Sequence, residues 1–580
     1  MKKFIKLFSF FKEYSKDALI SPVLVTFEVI LNTLIPYLMS LLIDRGILGY
    51  SQDMVIKLSL ILFLATLLSF ICGLLSTYFA TRASSGLAKN LRYRMFEKIG
   101  EFTFKNIDSF KKGSLVTRMS TDVQFVQMAS QVAVRLAIRA PLMLLFSFFM
   151  AFKLNDHVAI YFLIIIPIIT IGMFFITTGA HPVFKKVFKT TDKLNTMVSE
   201  NLSGIRVVKS YVKEGREKEK FNEISTDLFH NYRKASRLLA LASPLMQFST
   251  YLMSLLIARV GAGLIVKNLM TTGALTSLIT YAIQIQISLM TLSMVLVQIT
   301  IVRNAVDRIF EILETKPDIL SPENPIRQVK NGSVEFKDVH FSYAGDENKC
   351  VLKDINFKIS SGDYVGIIGP TGSGKSTLVN LIARFYDTDK GEVIVSGENV
   401  KNYELKILRD KVSVVLQKNQ LFSGSLRENL KWAGEDLSDE KLIDALKRAK
   451  AYDFVMEKGG LDGEVEREGT NFSGGQKQRI SIARSLLKDP KILILDDSTS
   501  ALDNSTEKAI IDSLRTVNKD MTKIIISQRV NSLKDCDYII VLNDGEIESV
   551  GSHEDLIKRS KIYGEIFVSQ EGEGDFDEKE

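Results

Sequence analysis

Cysteine is scarce in this chain: Cys72, Cys350 and Cys536 stand far apart, with no C-x-x-C spacing. That excludes a disulfide scaffold or zinc finger on sequence grounds and leaves three small, buried hydrophobes. Charge of one sign is also in short supply. Seventy-four basic and 67 acidic residues leave a net +7, too mild an excess for a nucleic-acid binder. Low-complexity and collagen-like tracts are missing. The apolar run in Phe4–Tyr14 is too short for a signal peptide and no small-residue cleavage site follows it. An interfacial helix on the cytoplasmic leaflet fits it better, with Lys6 and Lys12 on the polar side.

What is present is a mixture. Hydrophobic residues make up 46% and charged residues 24% of 580, and the mean hydropathy is positive. One soluble chain rarely combines these, so two differently composed parts are expected. The first ~305 residues hold six apolar stretches of membrane-spanning length: Ala18–Ile43, Val55–Ala80, Val132–Phe152, Val158–Thr178, Leu238–Val266 and Ala274–Val302. Arg259, Gln284, Gln286 and Gln298 interrupt the last two, which suits spans lining a cavity.

The connections are unequal. Residues 81–131 and 179–237 are long and read as helical, with charges every three or four positions. Together with the N-terminal stretch they carry 27 lysines and arginines, against four in the short loops. The positive-inside bias therefore puts both termini and both long segments in the cytoplasm of a multi-pass protein of the cell membrane. A ~50-residue excursion folded as a helical hairpin reaches roughly 35 Å beyond the bilayer. Its tips are expected near Asn106–Gly113 and Ser210–Gly215, where glycine and local polarity favour a turn.

From Ser333 onward the pattern becomes strand, turn, helix. The apolar run Tyr364–Ile368 leads into Gly369-Pro370-Thr371-Gly372-Ser373-Gly374-Lys375-Ser376, followed by a helical stretch from Thr377. This is the complete G-x-x-x-x-G-K-[ST] phosphate loop in its proper context. Glycines let backbone N–H groups curl around a phosphate, and the helix N-terminus adds its dipole. Lys375 reaches the β- and γ-phosphates of ATP and Ser376 ligates Mg²⁺. A second buried strand, Lys491–Asp496, ends in the carboxylate expected of a Walker B Mg²⁺ residue. Between them lies Phe472-Ser473-Gly474-Gly475-Gln476, ahead of a helical stretch.

Taken with Tyr343, Gln417 and Ser500–Asp503, these motifs make the whole chain resemble an ATP-binding cassette (ABC) exporter half-transporter. The expected fold is a polytopic α-helical membrane domain of six helices with long cytoplasmic extensions, fused to an α/β P-loop nucleotide-binding domain. Its parts would be a membrane domain at 1–315, a linker at 316–332, the nucleotide domain at 333–570 and a disordered acidic tail at 571–580. The resemblance implies that Tyr343 stacks on adenine and that Gln417 senses Mg²⁺ and couples to the membrane helices. It also implies that Ser473–Gln476 contacts nucleotide held by the opposite subunit, that Asp503 lies at the dimer interface, and that both tips are coupling helices.

Two departures weaken one side of that machinery. Where the family has a glutamate that polarises the attacking water, this chain has Asp497. Its carboxylate sits about 1.5 Å further back, and a displacement of that order costs about a hundredfold in rate. Where the family has a switch histidine, this chain has Gln528, whose amide hydrogen-bonds but does not titrate near neutral pH. A softer departure is Val465–Gly469, where a Gly-Glu pair is more usual. A weak Walker B side beside a sound signature implies a heterodimer subunit with a slow site of its own, completing a partner half-transporter's site. The alternatives are a homodimer with two slow sites and a non-transporting regulatory subunit.

The cargo is less legible. Hydrophobic or amphiphilic compounds, drugs or lipids, are the expected class. Glu28 falls near the middle of the first span. It either favours cationic amphiphiles or is structural, paired to Arg135, Arg139 or Arg259. Gln284, Gln286 and Gln298 either line the cavity or hydrogen-bond between spans.

Overall fold

A computed structural model describes residues 2–110, 112–343, 345–346 and 349–571; the acidic tail expected at 571–580 lies, from residue 572, outside them. The chain divides into two compact units. The first comprises Met1–Gly100 and Lys112–Glu314, the second Glu101–Lys111 and Thr315–Glu580.

Six helices of the first unit are long and apolar enough to cross a membrane: Ile5–Ile47, Gln52–Gly100, Gly113–Leu154, Asp156–Ser203, Glu214–Val266 and Thr272–Val295. Gln52–Gly100 and Asp156–Ser203 are unbroken runs of 49 and 48 residues. At 1.5 Å per residue each is about 70 Å long. A hydrocarbon core takes up about 30 Å of that, so the rest stands in water, as the charge pattern of the long connections anticipates. Lipid supplies no hydrophobic drive between helices, and close packing with interhelical hydrogen bonds takes its place. Ser21 donates to the Ser76 carbonyl at 2.9 Å, and Tyr281 to that of Thr33 at 2.7 Å. The N-terminal segment, a helix at Lys2–Phe8 and a tight turn at Ser9–Tyr14, buries Phe11 and exposes Ile5 and Phe8. Lys3 and Lys6 pair with Asp307 and Glu314, each at 3.0 Å.

The second unit contains twelve described strands: β1 Val334–Phe341, β2 Leu352–Ile359, β3 Tyr364–Ile368, β4 Lys390–Val395, β5 Glu398–Asn399, β6 Val412–Val415, β7 Gly424–Ser425, β8 Glu464–Val465, β9 Ile492–Asp496, β10 Thr522–Ile526, β11 Tyr538–Asn543 and β12 Glu546–Gly551. They form an antiparallel sheet β2-β1-β4-β5, a six-stranded sheet β12-β11-β3-β10-β9-β6 and a β7-β8 ribbon. β3, β9 and β10 are buried along their whole length, as parallel strands covered on both faces must be. Their side chains alternate between two cores. Ile368, Leu493, Leu495 and Ile525 enter one, while Ile367, Ile492, Ile494 and Ile526 enter the other.

Register makes the site. Ile526 lies opposite Ile367 on one side and Asp496 on the other, and Val415 pairs with Leu495. The chain segments after β3, β6, β9 and β10 therefore leave the sheet at one edge, the carboxyl end where parallel α/β sheets bind ligands.

Candidate nucleotide site

The segment after β3 is the phosphate loop. Gly374, at φ +98°, caps the helix Lys375–Ile382, a backbone state that glycine enters without steric cost. Lys375 is buried and its ammonium donates to the Gly369 and Pro370 carbonyls, both at 2.7 Å. Burial holds it below the ordinary lysine pKa, against the opposing pull of Asp497 and Asp496. Ser373 and Thr377 are buried beside it, and Thr371, Gly372 and Ser376 are exposed. Ser376 donates to Asp496 at 2.9 Å. Burial pushes the Asp496 carboxyl above its usual range, opposed by that hydrogen bond. Desolvation thus penalises both charges, and an arriving phosphate at Lys375 or hard cation at Asp496 relieves the penalty. One hydroxyl and one carboxylate suit Mg²⁺, which takes few protein oxygens and completes its shell with phosphate and water.

Asp497 follows in the left-handed region at φ +46°, which aspartate tolerates better than most residues. Its amide donates to the Ile526 carbonyl at 3.0 Å. Its carboxylate accepts from the Gln417 amide at 3.1 Å, so the segments after β6 and β9 meet. Gln528 is exposed at the same edge. The Tyr343 hydroxyl lies 3.0 Å from that of Thr377, and its ring meets Phe341 and Tyr386 edge-on at 4.9 and 5.1 Å.

Ser473 opens the helix Gly474–Leu486 with a capping box: it accepts from the Gln476 amide while the Gln476 side chain accepts from the Ser473 amide. Gly475 is needed for close approach, since a Cβ there would lie 2.9 Å from the Ala501 carbonyl. Asp503 caps the next helix, Asn504–Thr516. Hydrogen bonds from Ser505 and Thr506 hold its carboxyl well below the usual range.

Three further residues organise this edge and escaped sequence reasoning. Buried Glu507 accepts from Thr499 and Ser532, both at 2.6 Å, and from Arg529 at 3.1 Å. Arg529 also donates to the Leu502 and Ser500 carbonyls, each at 3.2 Å. The residue after Gln528 thereby grips the Ser500–Asp503 turn. Gln570 brackets the same loop, donating to the Gln528 carbonyl at 2.6 Å and accepting from the Val530 amide at 2.8 Å. A signal existed for Glu507 alone: it sits on the apolar stripe of Ile510, Ile511 and Leu514, where a carboxylate needs partners.

The tip of the first long excursion belongs to this unit. Thr103 caps a helix at Phe104–Ser109. Phe104 stacks on Phe385 at 4.5 Å, and Tyr386 donates to Asp108 at 2.6 Å. The second tip, Ile205–Ser210, belongs to the first unit and exposes Ile205, Val207, Tyr211 and Val212. In the spans, Glu28 is buried between Arg135 and Arg139, and Arg259 is exposed. Gln284 donates to the Asn32 carbonyl at 3.2 Å and accepts from Ser147 at 3.0 Å, and Gln286 donates to the Met246 carbonyl at 2.6 Å. Gln298 is half-buried on the last helix.

Comparison with known proteins agrees with this architecture. The family described as ABC transporter transmembrane region matches residues 18–289, and that described as ABC transporter matches residues 352–500. The chain is 32% identical over 568 residues to the uncharacterized ABC transporter ATP-binding protein YfiB of Bacillus subtilis (strain 168), covering 98% of each chain. It is 28% identical over 575 residues to the ATP-dependent lipid A-core flippase of Vibrio vulnificus (strain CMCP6), covering 99% of this chain and 98% of that one. A solved bacterial Atm1-family ABC exporter with ATP bound shares the fold, with a TM-score of 0.81 at 23% identity over 97% of this chain and 99% of that one.

Proposed function

Because the chain belongs to the ABC transporter family and is an ATP-hydrolysing, multi-pass membrane transporter with a cytoplasmic nucleotide-binding domain, we propose that it is the slow-site subunit of a heterodimeric exporter of amphiphilic compounds. The observation that carries this reading is a contrast along one sheet edge. The phosphate loop and signature are complete, while the positions that activate water and follow the γ-phosphate hold Asp497 and Gln528. The relative named as a lipid A-core flippase supports a lipid-like cargo.

In this reading ATP lies with its adenine on Tyr343 and its phosphates in the loop of Gly369–Gly374. Lys375 leaves the Gly369 and Pro370 carbonyls for the β- and γ-phosphates, exchanging neutral acceptors for anionic ones. Ser376 and Asp496 would hold Mg²⁺, with Gln417 beside them, and the bound ion would supply charge stabilisation for the phosphates. Asp497 faces the attacking water from too far back. Gln528 donates one hydrogen bond and passes on no proton. ATP is thus gripped and split slowly. Ser473, Gly474 and Gly475 meanwhile complete the partner's site, where the family's glutamate and histidine do the chemistry. The exposed apolar tip, the helix Ile205–Ser210 with the turn that follows it, docks on the partner's nucleotide domain, since residues such as Val207 and Val212 gain by leaving water.

The test is ATP turnover by the purified chain in nanodiscs, alone and co-expressed with a half-transporter carrying that glutamate and histidine. The chain alone is expected to turn over at least about tenfold more slowly than the pair. Equal rates would mean a self-sufficient homodimer.

A further inference from the structure

The apolar spans read from the sequence are poor in acid. Away from their ends they carry one carboxylate, Glu28, against the arginines Arg135, Arg139 and Arg259. The structure gathers the acid and two of these bases into one cluster between the first and third spans. Arg139 Nε lies 3.2 Å from Glu28 Oε1, and Arg135 Nη2 lies 3.7 Å from Glu28 Oε2. The Glu28 side chain is 7% exposed, beneath Arg135 at 26% and Arg139 at 35%. The second span closes over it at Gly73, where an added Cβ would lie 3.5 Å from the carboxyl carbon.

The cluster's charges do not cancel. One carboxylate stands against two guanidinium groups, leaving a net positive charge where the dielectric is low. Nor is its hydrogen bonding complete: Glu28 Oε2, Arg135 Nε and Arg139 Nε are buried without a hydrogen-bond partner. Charges at membrane depth are costly and mark sites of function when they face a cavity or a partner. Glu28 lies 13 residues before Leu41, where the α-helical part of the span Ile5–Ile47 ends, and Arg139 lies 15 before Leu154. At 1.5 Å per residue both sit at least about 20 Å below the outer ends of their spans. In a core about 30 Å thick that is the cytoplasmic half.

We propose that Arg135 and Arg139 form a binding site for the anionic, phosphate-bearing headgroup of an amphiphile drawn from the inner leaflet. The guanidinium fork matches phosphate oxygens two at a time, and Glu28 beneath orients both arginines and moderates their charge. Glu28 taken alone would favour a cation; embedded between two arginines it belongs to a site of the opposite preference. A polar track continues outward one helical turn on, where Ser69 donates to Asn32 at 2.9 Å and Gln284 donates to the Asn32 carbonyl. The proposal rests on the reading of the chain as a carrier of amphiphiles and names their headgroup.

The experiment is native mass spectrometry of the full-length chain in detergent, without nucleotide, offered phosphatidic acid and phosphatidylcholine of matched acyl chains. Wild type is expected to retain phosphatidic acid about tenfold better, the scale of one charge-assisted hydrogen-bonded pair. Arg135→Gln with Arg139→Gln abolishes the preference. Glu28→Gln removes the moderating charge and tightens phosphatidic acid binding, the opposite direction from one cluster, so the test survives if the arginine variant fails to fold. No preference in wild type, or weaker binding in Glu28→Gln, overturns the proposal. So does full displacement of phosphatidic acid by an equal concentration of glycerol phosphate, which would assign the site to a free phosphate. The measurement uses no ATP, so a failure of the slow-site reading appears in turnover and leaves this result standing.

Discussion

Replacing Asp497 with glutamate and Gln528 with histidine is expected to raise ATP hydrolysis at this chain's own phosphate loop by about 10- to 100-fold, the scale of correctly placed acid–base groups. The rate is read in a complex with the proposed partner half-transporter, whose catalytic glutamate is neutralised so that turnover reports this site. The physical reason is that the backbone at 497 cannot advance. Its amide is tied to the Ile526 carbonyl, and its carbonyl accepts from Ser500 at 2.9 Å. Only a longer side chain carries a carboxylate forward. Histidine at 528 inherits a loop already braced by Gln570, which holds the carbonyl of residue 528, and by the next residue, Arg529, which donates to the Ser500 carbonyl, so its ring is added to a prepared position. A glutamate at φ +46° costs about 1 kcal/mol of backbone strain, small beside the expected gain. The gain falls on kcat and leaves KM for ATP nearly unchanged, because Tyr343, Lys375 and Ser376 are untouched. Unchanged turnover in the double variant would show that the two residues are not what limits this site.

The second large effect is an asymmetry between two positions of the same chain. In the wild-type complex, Ser473→Ala is expected to cut ATP turnover by about 100-fold or more, the loss usual for one preorganised donor to developing charge. Asp497→Ala is expected to change it by less than about threefold, since on the proposed reading this chain's own site contributes little to the total. Ser473 also caps its helix, and losing a cap costs about 1 kcal/mol. Ser473→Asp separates the two roles: it keeps a capping oxygen and sets a negative charge against the partner's γ-phosphate. It should therefore be as inactive as Ser473→Ala while restoring thermal stability. If Ser473→Asp regained turnover, the serine would matter only to the helix.

Much of this was legible before the structure, for reasons that differ by region. The spans declare themselves by length, and the long helices by charge spacing. Asp156–Ser203 even continues through Pro182, which its flanking turns tolerate. The phosphate loop is readable because its chemistry demands glycines, lysine and hydroxyl in a fixed order. The second tip turns where it is expected, at Val212 with φ +51° between Ser210 and Gly215. The first overlaps its expected place but opens a few residues earlier, at the Thr103 capping box. In both, the glycine lies in the helix that follows the turn: Gly113 and Gly215 are helical. Inclusion of the first tip in the nucleotide unit depends on Phe104 meeting Phe385 and Asp108 meeting Tyr386, far apart in sequence, and no local pattern encodes such pairs. The same holds for Arg529 and Gln570, whereas Glu507 is marked by its place on an apolar helical stripe. Glu28 illustrates the boundary: three arginines were available to it, and packing of the first against the third span selects Arg135 and Arg139.

The central claim concerns which nucleotide each site holds while the complex is working. The complex is loaded with radiolabelled ATP, quenched during steady turnover and stripped of free nucleotide, and the label is identified after selective crosslinking to each subunit. Nucleotide crosslinked to this chain through Tyr343 and the phosphate loop should be predominantly ATP, while that on the partner's loop is predominantly ADP. Equal proportions of ADP on both chains would contradict the account.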